Sequence, residues 1–331
     1  MQLTDKLVKA LPGASSRDER SKPAYRLRDD EYVPDGLRRI AREQLTAAHD
    51  ELDGASKRSL DDAVHETRKH LKRLRTSLRL ARGALADETY QRENTAFRKT
   101  GRRLSASRDA QVRLQTLDAL TSRFEDELAP RITAGLRARL VDEHERATAR
   151  LHEDDTDVQA ALAELDDARA RTPAWRLQDD GFDAVSPGLK RIYRRGRKRM
   201  RAARDEPTAA TFHEWRKRVK DLRYATQIVR VAQPKRLKRI GRAANELGDL
   251  LGDDHDLAVL RDYAEAHPQC FGDDESREAL LAVIDRRSAQ LREQALDCGA
   301  RLYKRSPKRF TRAIERGWKK RAAADPRPVA G

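Results

Sequence analysis

The chain has 331 residues, with 71 Lys or Arg against 55 Asp or Glu, a formal net charge of +16 and 38% charged residues. That length suits one or two domains, and abundant Ala, Leu, Arg, Glu and Asp beside few β-branched, aromatic, Gly or Pro residues points to an all-α protein. Cys270 and Cys298 are too few for a disulfide framework or a cysteine-rich zinc site, and no apolar run reaches signal-peptide or membrane-spanning length, so a reducing cytoplasm is the simplest expected home.

Residues 1–24, polar and punctuated by Gly, Ser and Pro, read as a loose lead-in. Helices are predicted at about 35–52, 59–83, 87–105, 108–125, 128–153 and 156–170. A Pro173 and aromatic seam from Trp175 to Phe182 follows, then helices at 188–204, 209–231, 234–251, 255–266, 274–304 and 307–321. Start signals stand at Ser59 ahead of Asp61-Asp62, at Asp253-Asp254, and at Ser306-Pro307. The tail from 322 to 331, with Pro326 and Pro328, reads as frayed.

The two runs of helices are copies of each other. Val-His-Glu-Thr-Arg-Lys at 64–69 returns as Phe-His-Glu-Trp-Arg-Lys at 212–217. Tyr25-Arg26-Leu27 returns as Trp175-Arg176-Leu177, the set Val33, Gly36, Leu37, Arg39, Ile40 and Arg42 returns 152 positions later, and Leu104, Asp109 and Val112 return 147 later. The offset drifts by only a few residues, which predicts one element order used twice: residues 25–172 and 173–321, about six helices each with four-helix-bundle cores, related by a pseudo-twofold axis.

The second helix of each copy carries two stripes. Val64, Thr67, Leu71, Leu74 and Leu78, matched by Phe212, Trp215, Val219, Leu222 and Val229, fall three and four apart and predict a core face. His65, Arg68, Lys69, Lys72, Arg75 and Arg79, matched by His213, Arg216, Lys217, Lys220 and Arg223, centre roughly 130° away around the helix. The first helices add Arg38, Arg39 and Arg42, and Lys190, Arg191, Arg194 and Arg201. Nine Lys or Arg and no carboxylate lie between Leu189 and Arg204, and seven and none between Arg68 and Arg82. Such density repels itself and calls for a bound counter-charge, whose attraction falls with salt.

The doubled His-Glu-x-Arg-Lys-x-x-Lys-x-x-Arg helix, in a basic helical chain, resembles the conserved histidine α-helical domain, the CHAD family, from about Tyr25 to Arg321 and including the late segment from Ala300 to Phe310. The resemblance implies two pseudo-symmetric helical bundles that bind inorganic polyphosphate through a basic surface, often on polyphosphate granules. Its motif histidines are His65 and His213, and its basic positions are Arg68, Lys69, Lys72 and Arg75 with Arg216, Lys217, Lys220 and Arg223. Arg offers a planar fork to phosphate oxygens, Lys a mobile charge, and His a donor that charges near neutral pH. The two histidines serve equally well as ligand contacts or as bonds between helices, and both readings stand.

Other constellations carry less. Asp253, Asp254, His255 and Asp256 hold the residue types for a divalent ion, but Arg108 in the matching stretch of the first copy would repel a cation; acids at a helix start, paired with the basic helix opposite, are the preferred reading and no metal or cofactor is expected. His49, His70, His144, His152 and His267 lack a mate at the repeat spacing and are expected at the surface. Tyr25, Tyr32, Trp175 and Phe182 are read as anchors packed across the bundles rather than platforms for bases. No phosphate loop, paired catalytic carboxylates, HExxH or nucleophile elbow occurs, so a non-enzyme is expected. A nucleic-acid-binding protein is the alternative that composition alone allows, and an enzyme of polyphosphate metabolism is a third.

Overall fold

The computed structural model describes residues 24–56, 58–104, 106–153 and 155–324; the expected lead-in, apart from Ala24, and the tail from 325 onward lie outside them, as does the side chain of His152. The described residues hold eleven α-helices: α1 (Val33–Leu52), α2 (Leu60–Ala81), α3 (Asp87–Arg103), α4 (Ala106–Arg123), α5 (Pro130–Glu153), α6 (Thr156–Arg171), α7 (Ser186–Asp205), α8 (Ala209–Ile228), α9 (Pro234–Ala266), α10 (Asp274–Leu302) and α11 (Pro307–Ala324). No strand forms among them.

Local chemistry sets the ends of the helices that matter most for function. The Ser59 hydroxyl accepts from the Asp62 amide at 3.3 Å to open α2, and Thr208 and Thr211 bond reciprocally to open α8. Just past the end of α2, Gly83 turns the chain at φ 112°, a left-handed conformation that costs a residue with a Cβ. One expected boundary is absent. Instead of two helices meeting near residue 253, α9 runs unbroken for 33 residues. Asp254 is no cap: it is 1% exposed in mid-helix and accepts from Arg292 Nε of α10 at 2.7 Å. In the first copy the matching helices α3 and α4 are separate, α3 ending at Arg103.

The apolar stripe of each second helix is buried as its spacing predicts. Val64, Leu71, Leu74 and Leu78 are at most 2% exposed, as are Phe212, Trp215, Val219 and Leu222; each such side chain contributes roughly 1.5–3 kcal/mol by leaving water. These residues join one large core that also takes in α1, α3, α6, α7, the N-terminal part of α9 and α11. A second core is built from Leu117 and Leu120 of α4, Leu136 and Leu140 of α5, Leu257 and Leu260 of α9, and Leu280 and Ile284 of α10. Neither core is confined to one copy, because each copy lends a helical hairpin to the second.

The aromatic leads also cross over. Leu27 N–H donates to Ile228 O at the end of α8, and Gln178 N–H donates to Ala84 O just past α2, each at 2.9 Å. The Tyr25 hydroxyl donates to Arg73 O of α2 while its ring meets Tyr224 of α8 edge-on at 6.1 Å. Tyr25, Trp175 and Phe182 are buried, which makes them anchors. Each lead thus ties its own copy to the other copy's basic helix. At the last turn of α2, Gly188 of α7 lies so close that a Cβ would collide with the Leu80 carbonyl.

Candidate polyanion-binding site

The two basic rows meet where α2 packs against α8. Lys72, exposed on α2, stands near enough to Lys220 of α8 to help push its ammonium down to about 7. Burial is the largest cause of that shift, Arg216 and Arg223 add to it, and Asp256 opposes it. Its own burial and the cations crowded around it make the charged state of Lys220 expensive.

Around this point the two copies repeat one tether. Arg68 Nη1 donates to Leu104 O at 3.3 Å and stands 3.8 Å from Asp109 of α4, and Arg216 stands 3.9 Å from Asp256 of α9. Gly252 leaves the space the Arg216 guanidinium occupies, its ideal Cβ position being 3.5 Å from Nη2. The aspartates therefore pair with the basic helices opposite, as the sequence suggests, although Asp256 lies within α9 rather than at a helix start. The lysines of the motif are held locally: Lys69 bonds Glu66 at 2.7 Å and Lys217 bonds Glu214 at 2.6 Å, each on its own helix. Such i,i+3 pairs at the surface are worth only tenths of a kcal/mol, so both lysines remain available to a polyanion.

The histidines differ between copies. His65 is half-buried on α2. His213 lies against His255 of α9, ring centroids 4.0 Å apart. Burial, then Lys217 and Arg216, lowers His213, and burial with His213 and the same cations holds His255 at about 3. Both shifts favour the neutral ring. Nothing in the repeat pattern singled out His255, whose matching position is Arg108.

Further along the rows the sites diverge. Arg75 donates to Asn94 Oδ1 at 3.2 Å and is lowered to about 10 by burial and then Arg79. Arg223 lies over the Tyr224 ring at 5.5 Å. Arg79 reaches across to Asp221 of α8 at 2.9 Å, and Asp221 also accepts from Arg218 at 2.9 Å. Arg39 is engaged within the fold: its fork bonds Glu31 at 2.6 Å and Glu43 at 3.0 Å, and the Arg26 carbonyl at 2.9 Å. Arg38 is similarly engaged with Asp35 and the Trp175 carbonyl. Arg191 donates to Arg82 O at 3.0 Å. Arg42, Lys190 and Arg194 are exposed on α1 and α7.

His70, expected at the surface, is buried, 5% exposed, with Nδ1 2.9 Å from Gln44 Oε1. Burial and Arg73 hold it at about 4, so it joins the packing as a neutral ring. Among the described residues, the residues from Asp253 to Asp256 do not form a group that could share one ion, and the three potential metal ligands that lie together are His49, Asp50 and Asp53 at the end of α1.

A CHAD domain model matches residues 9–265 of the chain. The chain belongs to the CHAD domain family. The crystal structure of the CHAD domain from the plant Ricinus communis is similar to this domain with a TM-score of 0.60 at 19% identity, over 92% of this chain and 97% of that one. PptA from Streptomyces chartreusis is similar with a TM-score of 0.53 at 17% identity, over 87% and 99%. At those identities the likeness concerns the fold. No curated protein matches the chain. Among the described residues, no helix of this CHAD domain is long and apolar enough to cross a membrane.

Proposed function

We propose that this CHAD domain binds inorganic polyphosphate along the seam between α2 and α8 and does no chemistry on it. The observation that carries the reading is the crowding at Lys220: a half-buried ammonium with Lys72, Arg216 and Arg223 around it, facing Asp256 as its opposing charge. A fold does not need that arrangement, and a polymer of phosphates relieves it. Arg68, Lys72 and Arg75 from one copy and Arg216, Lys220 and Arg223 from the other supply contacts from both sides. Many weak contacts to one chain add through linkage, and released counterions drive binding at low salt. A long polymer then binds far better than pyrophosphate. With no bases to read, the seam needs only charge and reach. The granule association implied by the family belongs to this same reading.

Charge reversal tests it. Lys72→Glu with Lys220→Glu weakens long-chain polyphosphate by roughly two orders of magnitude at 0.1 M salt and reduces the slope of log K against log salt by about 1.4, at ~0.7 per contact. Arg312→Glu with Lys320→Glu on α11 has little effect. Equal losses from the two pairs would show the attraction to be diffuse. Preference for duplex DNA or RNA at matched salt would replace polyphosphate as the ligand, and orthophosphate release with magnesium or manganese would replace binding with catalysis.

A further inference from the structure

Beyond the crossing, α2 carries its basic row into an open cleft between the end of α2, α7 and α8. Arg79, Arg82, Arg191, Arg195 and Arg218 line it, and Asp221 is the single carboxylate among the described lining residues. On α8 this is a different place from the seam: Arg218 and Asp221 lie roughly 150° around the helix from the row of His213, Arg216, Lys220 and Arg223.

The first copy shows what the fold requires here. Arg39, the match of Arg191, is neutralised by Glu31 and Glu43. The positions matching those carboxylates are Gly181 and Arg195, and the position matching neutral His70 is Arg218. At equivalent places in one backbone two counter-charges are lost and two cations added, while one carboxylate, Asp221, stands where the first copy has Arg73. Burial, then neighbouring arginines, lowers Arg191; burial and Arg79 lower Arg218 against the pull of Asp221. Packing alone does not call for the excess, since at the matching positions Arg39, Arg73, Glu31, Glu43 and His70 the first copy folds with charges that cancel.

We propose that this cleft is a second oxyanion site, set off from the seam, that takes one dianionic phosphate group: the end group of a phosphate chain or a free orthophosphate. Arginine forks match tetrahedral oxyanions, and several guanidiniums converging on one space favour a group with two charges. The chain-end source rests on the polyphosphate reading above; the orthophosphate source does not.

Calorimetric titration at fixed ionic strength compares three probes: linear polyphosphate with free ends, the same polymer with both ends blocked as esters, and orthophosphate. Arg195→Glu is the variant, because it restores the charge that Glu43 supplies in the first copy; Arg191→Gln serves if that chain fails to fold. A free-ended polymer binding about tenfold tighter than the blocked one, with the preference lost in the variant, assigns the chain end. Orthophosphate binding that disappears in the variant, without an end preference, assigns the free ion. Free-ended and blocked polymers that bind alike, together with orthophosphate binding that is absent or unchanged by the variant, overturn the proposal. Failure of the blocked polymer to bind the wild-type protein sinks the seam reading instead, and the orthophosphate arm still decides the cleft.

Discussion

Polyphosphate binding should take up a proton, and Lys220 fixes how many and at what pH. Its ammonium titrates at about 7 in the empty protein, against an ordinary value of 10.5. At pH 8 only ~10% is charged, and charging the rest costs about 1.4 kcal/mol. A phosphate against Nζ returns the value toward its ordinary range, so binding at pH 8 takes up about 0.9 proton, and affinity falls about ninefold from pH 8 to 9 but about twofold from pH 6 to 7. His213 and His255, lowered by burial and the same cations, charge at more acid pH and leave that upper window to Lys220. Lys72, Arg216, Arg223 and Asp256 are the charged groups facing the ammonium. Calorimetry with a long chain in two buffers of different ionisation enthalpy counts the protons. Lys220→Arg stays charged, abolishes the uptake at pH 8 and strengthens binding there by roughly tenfold. Uptake below ~0.2 proton in the wild-type protein, or equal uptake in the Arg variant, would refute the reasoning.

The same shift has the opposite sign for stability. A lysine whose folded value lies below its unfolded one costs stability in full below about pH 7, and the cost vanishes as pH rises toward 10.5. Lys220→Met therefore raises the unfolding free energy at pH 7 by ~1 kcal/mol or more while weakening polyphosphate binding, measurable by urea denaturation and titration of the same samples. Gly188→Ala drives a methyl into the Leu80 carbonyl and lowers stability by about 1–3 kcal/mol in the same denaturation assay. Arg292→Ala strands the buried Asp254 carboxylate and costs about 3–5 kcal/mol at neutral pH, a loss that shrinks in acid as the carboxyl protonates.

Helices and their faces were legible because spacing three and four apart carries geometry directly: every apolar position assigned to α2 and α8 is buried. The tether between the rows and Asp109 and Asp256 was legible because both copies carry it. What escaped the sequence depends on contacts between segments far apart in the chain. Asp253-Asp254 has the composition of a helix start, yet α9 continues through it because Asp254 finds Arg292 38 residues later. His70 lacks a repeat mate, which suggested exposure; its partner is Gln44 on α1, and pairing of that kind has no periodicity. Arg39 recurs as Arg191, but recurrence of a cation says nothing about whether its neighbours neutralise it. Comparing those neighbours between copies, Glu43 against Arg195, was the available signal.

Duplication makes the molecule its own control. Positions where both copies carry a cation within the same packing, Lys72 with Lys220 and Arg68 with Arg216, combine what the fold tolerates with what the seam uses, and neither copy alone separates the two. Positions where the copies part do separate them. Glu31, Glu43 and His70 show that α1 and α2 pack with the charge of Arg39 cancelled, whereas beside α7 and α8 the cations Arg191, Arg195 and Arg218 share with Arg79 the one carboxylate of Asp221. Crowding of guanidiniums lowers stability, so an arrangement that accumulates them where a more nearly neutral one folds is what the proposed phosphate group would relieve. On the proposed reading the seam, built from both copies, would supply affinity along a polymer, and the cleft, built on the asymmetry between them, would give one end of that path a character the other lacks.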